Sequence, residues 1–321
     1  MKFCQPGLLG VLGALVCVAL PDVGTVVARA QEVSTADGPG QSGLANKSSE
    51  AMPAGAKRPA VTLPQPSLRR GLRIWRNVEL VRDSVAVKFD VYRPDDQRGL
   101  PLVLMIHGGA WSIGDKRSME MHAKQLANEG FVVVSTNYRL APKHQYPAQL
   151  DDCDFVLQWL LSNPEHFDAA TEHYALWGYS AGAQLAVVLA SRQTKAGRSP
   201  VCCIAGGIPG DFLWVPEDSD MLAHVFGGTR AQKPDVYRDA SPVECVTPDL
   251  CPHFIYHGTV DFVVPYKVGR RMYEKLKSAG VAAELLEVAG KEHFFAFVDS
   301  TARKQAIAFI KKNFSAAKKG R

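Results

Sequence analysis

Trp177-Gly178-Tyr179-Ser180-Ala181-Gly182 sets a serine between two glycines, and its reading decides the fold. Residues 174–177 are apolar and strand-like, whereas residues 181–192 carry helical spacing. A strand that turns straight into a helix at a serine leaves room only for very small residues two positions to either side, which Gly178 and Gly182 supply. Such a turn projects the hydroxyl outwards. The helix that starts there aims free N–H groups and the positive end of its dipole at the same place. Ser180 is therefore the candidate nucleophile. Were it only a helix N-cap, its side chain would accept a hydrogen bond from the first turn instead.

Outwards from this turn the chain alternates short apolar runs with amphipathic stretches. Strands are predicted at 101–106, 131–136, 174–177, 201–205, 254–257 and 283–288, and helices at 119–129, 148–161, 181–192, 267–279 and 301–313. That exchange predicts an α/β fold, a mostly parallel central sheet with helices on both faces. Ahead of it, 77–81 and 85–92 alternate apolar and polar residues like an antiparallel hairpin. Residues 209–248 fit neither period and are too long for a crossover loop, so a small cap or lid insertion is expected there.

A serine nucleophile needs donors for the oxyanion, a base and an acid. His107-Gly108-Gly109-Ala110-Trp111 follows a predicted strand, and its glycines let backbone N–H groups face a substrate oxygen. Either Gly109 and Ala110 or Gly108 and Gly109 supply the donors, with Ala181 N–H as the partner from the serine turn. Of the 9 histidines, His293 lies in a loop after the last predicted strand, whereas His122, His166 and His224 read as surface or helix-face residues. Asp261 follows the preceding strand in His257-Gly258-Thr259-Val260-Asp261. The order Ser, Asp, His along the chain is the one this placement of the nucleophile uses. Asp261 would hold His293 in its productive tautomer, and His293 would take the Ser180 proton. Trp111, Tyr179, Phe212 and Trp214 are candidates for a substrate pocket.

The 321 residues include 46% hydrophobic and 21% charged, enough to bury a full core. The net charge of +5 gathers mainly near the two ends, with no basic stripe and interleaved aromatics of the kind nucleic acid requires. Residues 1–30 read as a signal peptide, with an apolar run at 8–20 and the small-x-small pattern Ala28-Arg29-Ala30, so a secreted or periplasmic location is expected. Residues 31–67 are rich in Gly, Ser, Ala, Pro and Gln and are expected to be a disordered linker, leaving 68–321 as the catalytic domain. Beyond the signal stand Cys153, Cys202, Cys203, Cys245 and Cys251, an odd number that permits two disulfides and one free thiol; a Cys245–Cys251 disulfide would close a short loop. No Cys or His spacing suggests a metal, and no cofactor is expected.

Six stretches together resemble the α/β-hydrolase esterases of the hormone-sensitive-lipase and carboxylesterase group, including small bacterial esterases that release acetyl or feruloyl groups from xylan. They are His107 to Trp111, Asn137-Tyr138-Arg139-Leu140-Ala141-Pro142, Tyr146-Pro147-Ala148-Gln149-Leu150-Asp151-Asp152, Gly178 to Gly182, His257 to Asp261, and Gly290 to Phe294. The resemblance implies an α/β-hydrolase fold, hydrolysis of short-chain carboxylic esters through an acyl-enzyme, no cofactor, and a small-molecule or polysaccharide-linked ester as partner. It departs at Tyr179, where hormone-sensitive-lipase relatives usually carry an acidic residue. The competing expectations are an amidase or exopeptidase on the same fold and a non-catalytic binding module.

Overall fold

Every residue of Val132–Thr136 is buried, as a strand covered by helices on both faces must be. A computed structural model describes residues 59–319 of the chain. The expected signal at 1–30 and the linker as far as residue 58 lie outside the described residues.

The elements run β1 Ala60–Thr62, β2 Ser67–Arg69, β3 Leu72–Arg82, β4 Val85–Pro94, β5 Leu100–Ile106, α1 Glu120–Asn128, β6 Val132–Thr136, α2 Ala148–Ser162 and β7 Ala169–Tyr179. There follow α3 Ala181–Lys195, β8 Cys202–Gly206, α4 Ala223–Phe226, α5 Pro234–Ala240, β9 His253–Gly258, α6 Tyr266–Ser278, β10 Ala283–Val288, α7 His293–Val298 and α8 Ser300–Lys319. The sheet order is β1-β3-β4-β6-β5-β7-β8-β9-β10, with β2 paired to β3 off this path. Pairing is parallel from β6 through β5 to β10 and antiparallel from β1 to β4 and onto β6. The sheet is open, not closed into a barrel.

Strand alternation sorts the core into two layers. Leu102, Leu104 and Ile106 of β5 pack in one buried cluster with Val156 of α2, Leu185 of α3 and Met272 of α6. Val103 and Met105, on the opposite face, join Leu126 of α1 and Ile310 of α8. Helices thus cover both faces, as the alternating pattern predicts.

Ordered pairing begins earlier than expected. β1 pairs Ala60–Thr62 with Val81, Leu80 and Glu79 of β3, so the residues just before 68 belong to the sheet. Their composition hides a strand that β3 stabilises by lending its edge. β7 likewise starts at Ala169, because a register shift after Pro101 lets Leu100 and Pro101 pair with Ala169 and Ala170.

Residues 209–248 form an insertion with two short helices and a 3-10 turn at Pro242–Cys245. Phe226 holds it together, packing against Phe212 at 5.1 Å and Tyr237 at 4.7 Å between ring centroids. Cys245 and Cys251 are not bonded, and all five described cysteines are free thiols. Cys251 is turned into the core, while Cys245 is half-buried on the 3-10 turn with Sγ towards Asp239 O, so the short loop aims the two sulfurs apart.

His122 lies on the buried face of α1, so of the surface and helix-face readings only the second holds, and it stacks on Phe297 at 4.6 Å. Burial lowers both His122 and His253 to about 4. Each is neutral in the folded chain at a pH where the unfolded chain, near 6.5, takes up a proton. Stability is therefore full above about pH 6.5 and falls as pH drops towards about 4. Urea midpoints should decline over that window, and the His122→Phe variant should decline less steeply than wild type.

Candidate active site

Ser180 has φ 53° and ψ −124°, a conformation that L residues adopt only under constraint, and its side chain makes no cap hydrogen bond. The N-cap alternative therefore fails. Its N–H donates to Gly206 O at 2.8 Å, which ties the turn to β8. A Cβ on Gly178 would lie 2.0 Å from Gly182 O, and one on Gly182 would lie 2.2 Å from Ile106 O. Both contacts are with backbone, so neither position can take a side chain without moving the turn. Gly178→Ala should cost about 3 kcal/mol by overpacking, read as a lower denaturation midpoint.

Asp261 follows β9, His293 follows β10, Ser180 follows β7 and the glycine loop follows β5. All four leave the carboxyl ends of parallel strands, where open α/β sheets place their sites. His293 Nδ1 lies 2.6 Å from Asp261 Oδ2. With a carboxylate facing Nδ1 the proton belongs there, leaving Nε2 free to accept another. The His293 ring packs against Gly207, next to the Ser180-bound Gly206, where a Cβ would lie 2.9 Å from His293 Cε1. Among the described residues no hydrogen bond joins Ser180 Oγ to a partner, His293 Nε2 included.

Asp261 Oδ1 accepts from Val263 N at 2.9 Å and Val264 N at 2.8 Å. Burial opposes its ionisation, but hydrogen bonds from His257 and His293 outweigh that and hold the carboxyl far below the usual carboxylate range. His257 Nε2, fully buried, stands 3.3 Å from Asp261 Oδ2 and 2.8 Å from Val264 O. The sequence reading missed this contact. A histidine four residues before the acid was its only trace. His293 opens α7, where Glu292 caps the helix by accepting from Phe294 N at 3.0 Å and Phe295 N at 2.9 Å.

In the glycine loop, φ is 122° at Gly109, 49° at Ala110 and 59° at Trp111. Gly109 O accepts from Ser112 N and Ile113 N, both at 3.0 Å, closing the loop on itself. A Cβ on Gly109 would lie 2.1 Å from Ile113 O, and one on Gly108 would lie 3.0 Å from Ser180 Cβ. Both glycines are thus required, one for the turn and the other for close approach to the serine. Among the described residues, the N–H groups of Gly109 and Ala110 have no acceptor.

The expected pocket residues divide. Trp111 and Phe212 are buried against each other, ring centroids 5.7 Å apart, and offer little surface to a ligand. Tyr179 is buried too: its hydroxyl donates to His293 O and its ring packs on Phe297 at 4.6 Å, so it supports the histidine from behind. Only Trp214 is exposed. Among the described residues no group of His, Cys, Asp and Glu side chains could hold a metal ion.

The open parallel sheet, the serine at a strand-to-helix turn and the Asp–His pair on the next two strand ends define the class as the α/β-hydrolase fold. Within that class the chain belongs to the BD-FAE family, whose model matches residues 89–200 and 211–276. It is similar to esterase LipC of Mycobacterium tuberculosis, 29% identical over 254 residues that cover 73% of this chain and 63% of the relative. Carboxylesterase NlhH of the same organism is 28% identical over 239 residues, covering 70% and 73%. Among solved structures, a truncated carbohydrate esterase from gut microbiota superposes with a TM-score of 0.68 at 21% identity, covering 78% of this chain and 97% of that one. A bacterial heroin esterase gives 0.66 at 24% identity, covering 76% and 85%. These structures share the fold.

Proposed function

We propose that the chain hydrolyses carboxylic esters of short acyl groups through an acyl-enzyme formed on Ser180. The observation that carries this reading is the 2.6 Å hydrogen bond between His293 and Asp261 beside a strained, unpaired Ser180. His293 Nε2 takes the Ser180 proton as the hydroxyl attacks the ester carbonyl, and Asp261 stabilises the imidazolium that forms. The oxyanion is held by the N–H groups of Ala181 and of Gly109 with Ala110, which lack protein acceptors, or of Gly108 with Gly109. His293 then protonates the leaving alcohol, and water activated by the same nitrogen releases the acid. No cofactor enters.

The esterase names of the curated relatives support ester over amide, and the resemblance to acetyl and feruloyl esterases supports a small-molecule or polysaccharide-linked substrate. The apolar run at 8–20 with Ala28-Arg29-Ala30 supports export to the periplasm or medium, to be checked by amino-terminal sequencing of the protein recovered from cells. Purified protein should turn over p-nitrophenyl acetate and take up a fluorophosphonate probe at Ser180. Faster cleavage of p-nitroacetanilide than of the ester would replace esterase by amidase, and no labelling would leave a binding module.

A further inference from the structure

We infer that Gln184 is a positioning residue that holds the glycine loop in its oxyanion-binding shape, an inference that rests on the hydrolase reading above. Ala110 and Trp111 are successive non-glycine residues with φ of 49° and 59°. Such backbone persists only where its surroundings over-determine it. Trp111 O accepts from Ala141 N at 2.9 Å, and Trp111 Nε1 donates to Gln184 Oε1 at 2.9 Å. Gln184 is fully buried one turn beyond the serine, its own N–H bonded to Ser180 O at 3.2 Å. Its Nε2 donates to Ala240 O at 2.8 Å, at the end of α5 in the inserted segment.

One amide therefore joins the nucleophile helix, the loop opposite it and the insertion. The Trp111 ring packs on Phe212 at 5.7 Å and Phe226 at 6.1 Å, so the insertion braces the loop a second time. Hydrogen bonds this deep fix geometry because neither partner has water as an alternative. Gln184 touches no substrate. It sets the distance between the Ser180 hydroxyl and the N–H groups that receive the oxyanion, a distance that matters more as negative charge develops on the substrate oxygen than in the ground state.

The test uses the full chain with Trp111→Phe, which keeps a ring and loses the donor, Gln184→Met, which keeps the length and loses both bonds, and the double variant. Each single change should lower kcat for p-nitrophenyl acetate by about 10- to 100-fold, the scale of a misplaced reacting group, with KM within about twofold. The rate of fluorophosphonate labelling should fall by a similar factor, because the phosphoryl oxygen uses the same N–H groups. The double variant should be no slower than the slower single variant, since both changes cut the same bond. An unchanged kcat for Trp111→Phe, or losses that multiply in the double variant, would overturn the inference while leaving the hydrolase reading intact. A wild-type chain that is neither active nor labelled overturns both.

Discussion

Replacing Ser180 with alanine is expected to lower kcat for p-nitrophenyl acetate by roughly 10,000-fold or more, the scale seen when a covalent nucleophile is removed from a hydrolase. The fold should survive. Ser180 is held at φ 53° by Gly206 and by the packing of Gly178 and Gly182, none of which needs the hydroxyl. Equal denaturation midpoints for the two proteins would show that the loss is chemical. A residual rate above water is expected, because the proposed oxyanion donors of the glycine loop remain in place. Equal turnover by the two proteins would remove Ser180 from the mechanism.

The second large effect belongs to Asp261→Asn, which should reduce kcat by roughly 1,000- to 10,000-fold. Asparagine has almost the same shape, so the cost comes from proton placement. Asp261 presents only acceptors, and the structure uses both oxygens: Oδ1 for Val263 and Val264 N–H, Oδ2 for His293 and His257. An amide must aim its NH2 at one of these sets of donors. If it faces His293, the proton moves to Nε2 and the base is lost. If it faces the turn, two backbone N–H groups lose their acceptor, at a cost of about 1–3 kcal/mol for each buried group left unpaired.

The same carboxylate gives a pH signature. Its folded pKa lies far below the usual carboxylate value near 3.9, so its contribution to stability is present above about pH 4 and lost only as pH falls further. The gap in denaturation midpoint between wild type and Asp261→Asn should stay constant from about pH 5 upwards and shrink in stronger acid. A gap that closes near neutral pH would show that Asp261 is not the ionised acid of the site.

Much of the candidate site's geometry was legible in the residues because the turn that carries Ser180 constrains them locally. A Cβ at Gly178 or Gly182 would meet backbone oxygen at 2.0 or 2.2 Å, so the turn admits only glycine there and the glycine spacing announces the serine. His293 and Asp261 were reached through strand ends, since a parallel sheet gathers the carboxyl ends of its strands along one edge. The pocket aromatics were less legible. Trp111, Phe212 and Tyr179 read alike as sequence, and only packing shows that all three are buried, the last behind His293. Cys245 and Cys251 stand close along the chain, yet direction decides against a bond, and spacing carries no direction.

By itself the sequence determined the layered α/β architecture and the serine turn, because hydrophobic period and glycine placement are local properties that the backbone reads directly. Only the tertiary structure decided which groups stand behind the site: His257 against Asp261, Tyr179 beneath His293, Gln184 between Trp111 and Ala240. These contacts join residues on different elements, and the edge strand β1 likewise pairs across the chain with β3. Hydrogen-bond partners brought together by folding leave no periodic trace in the chain. Their free energy comes from burial and geometry that exist only once the sheet has assembled.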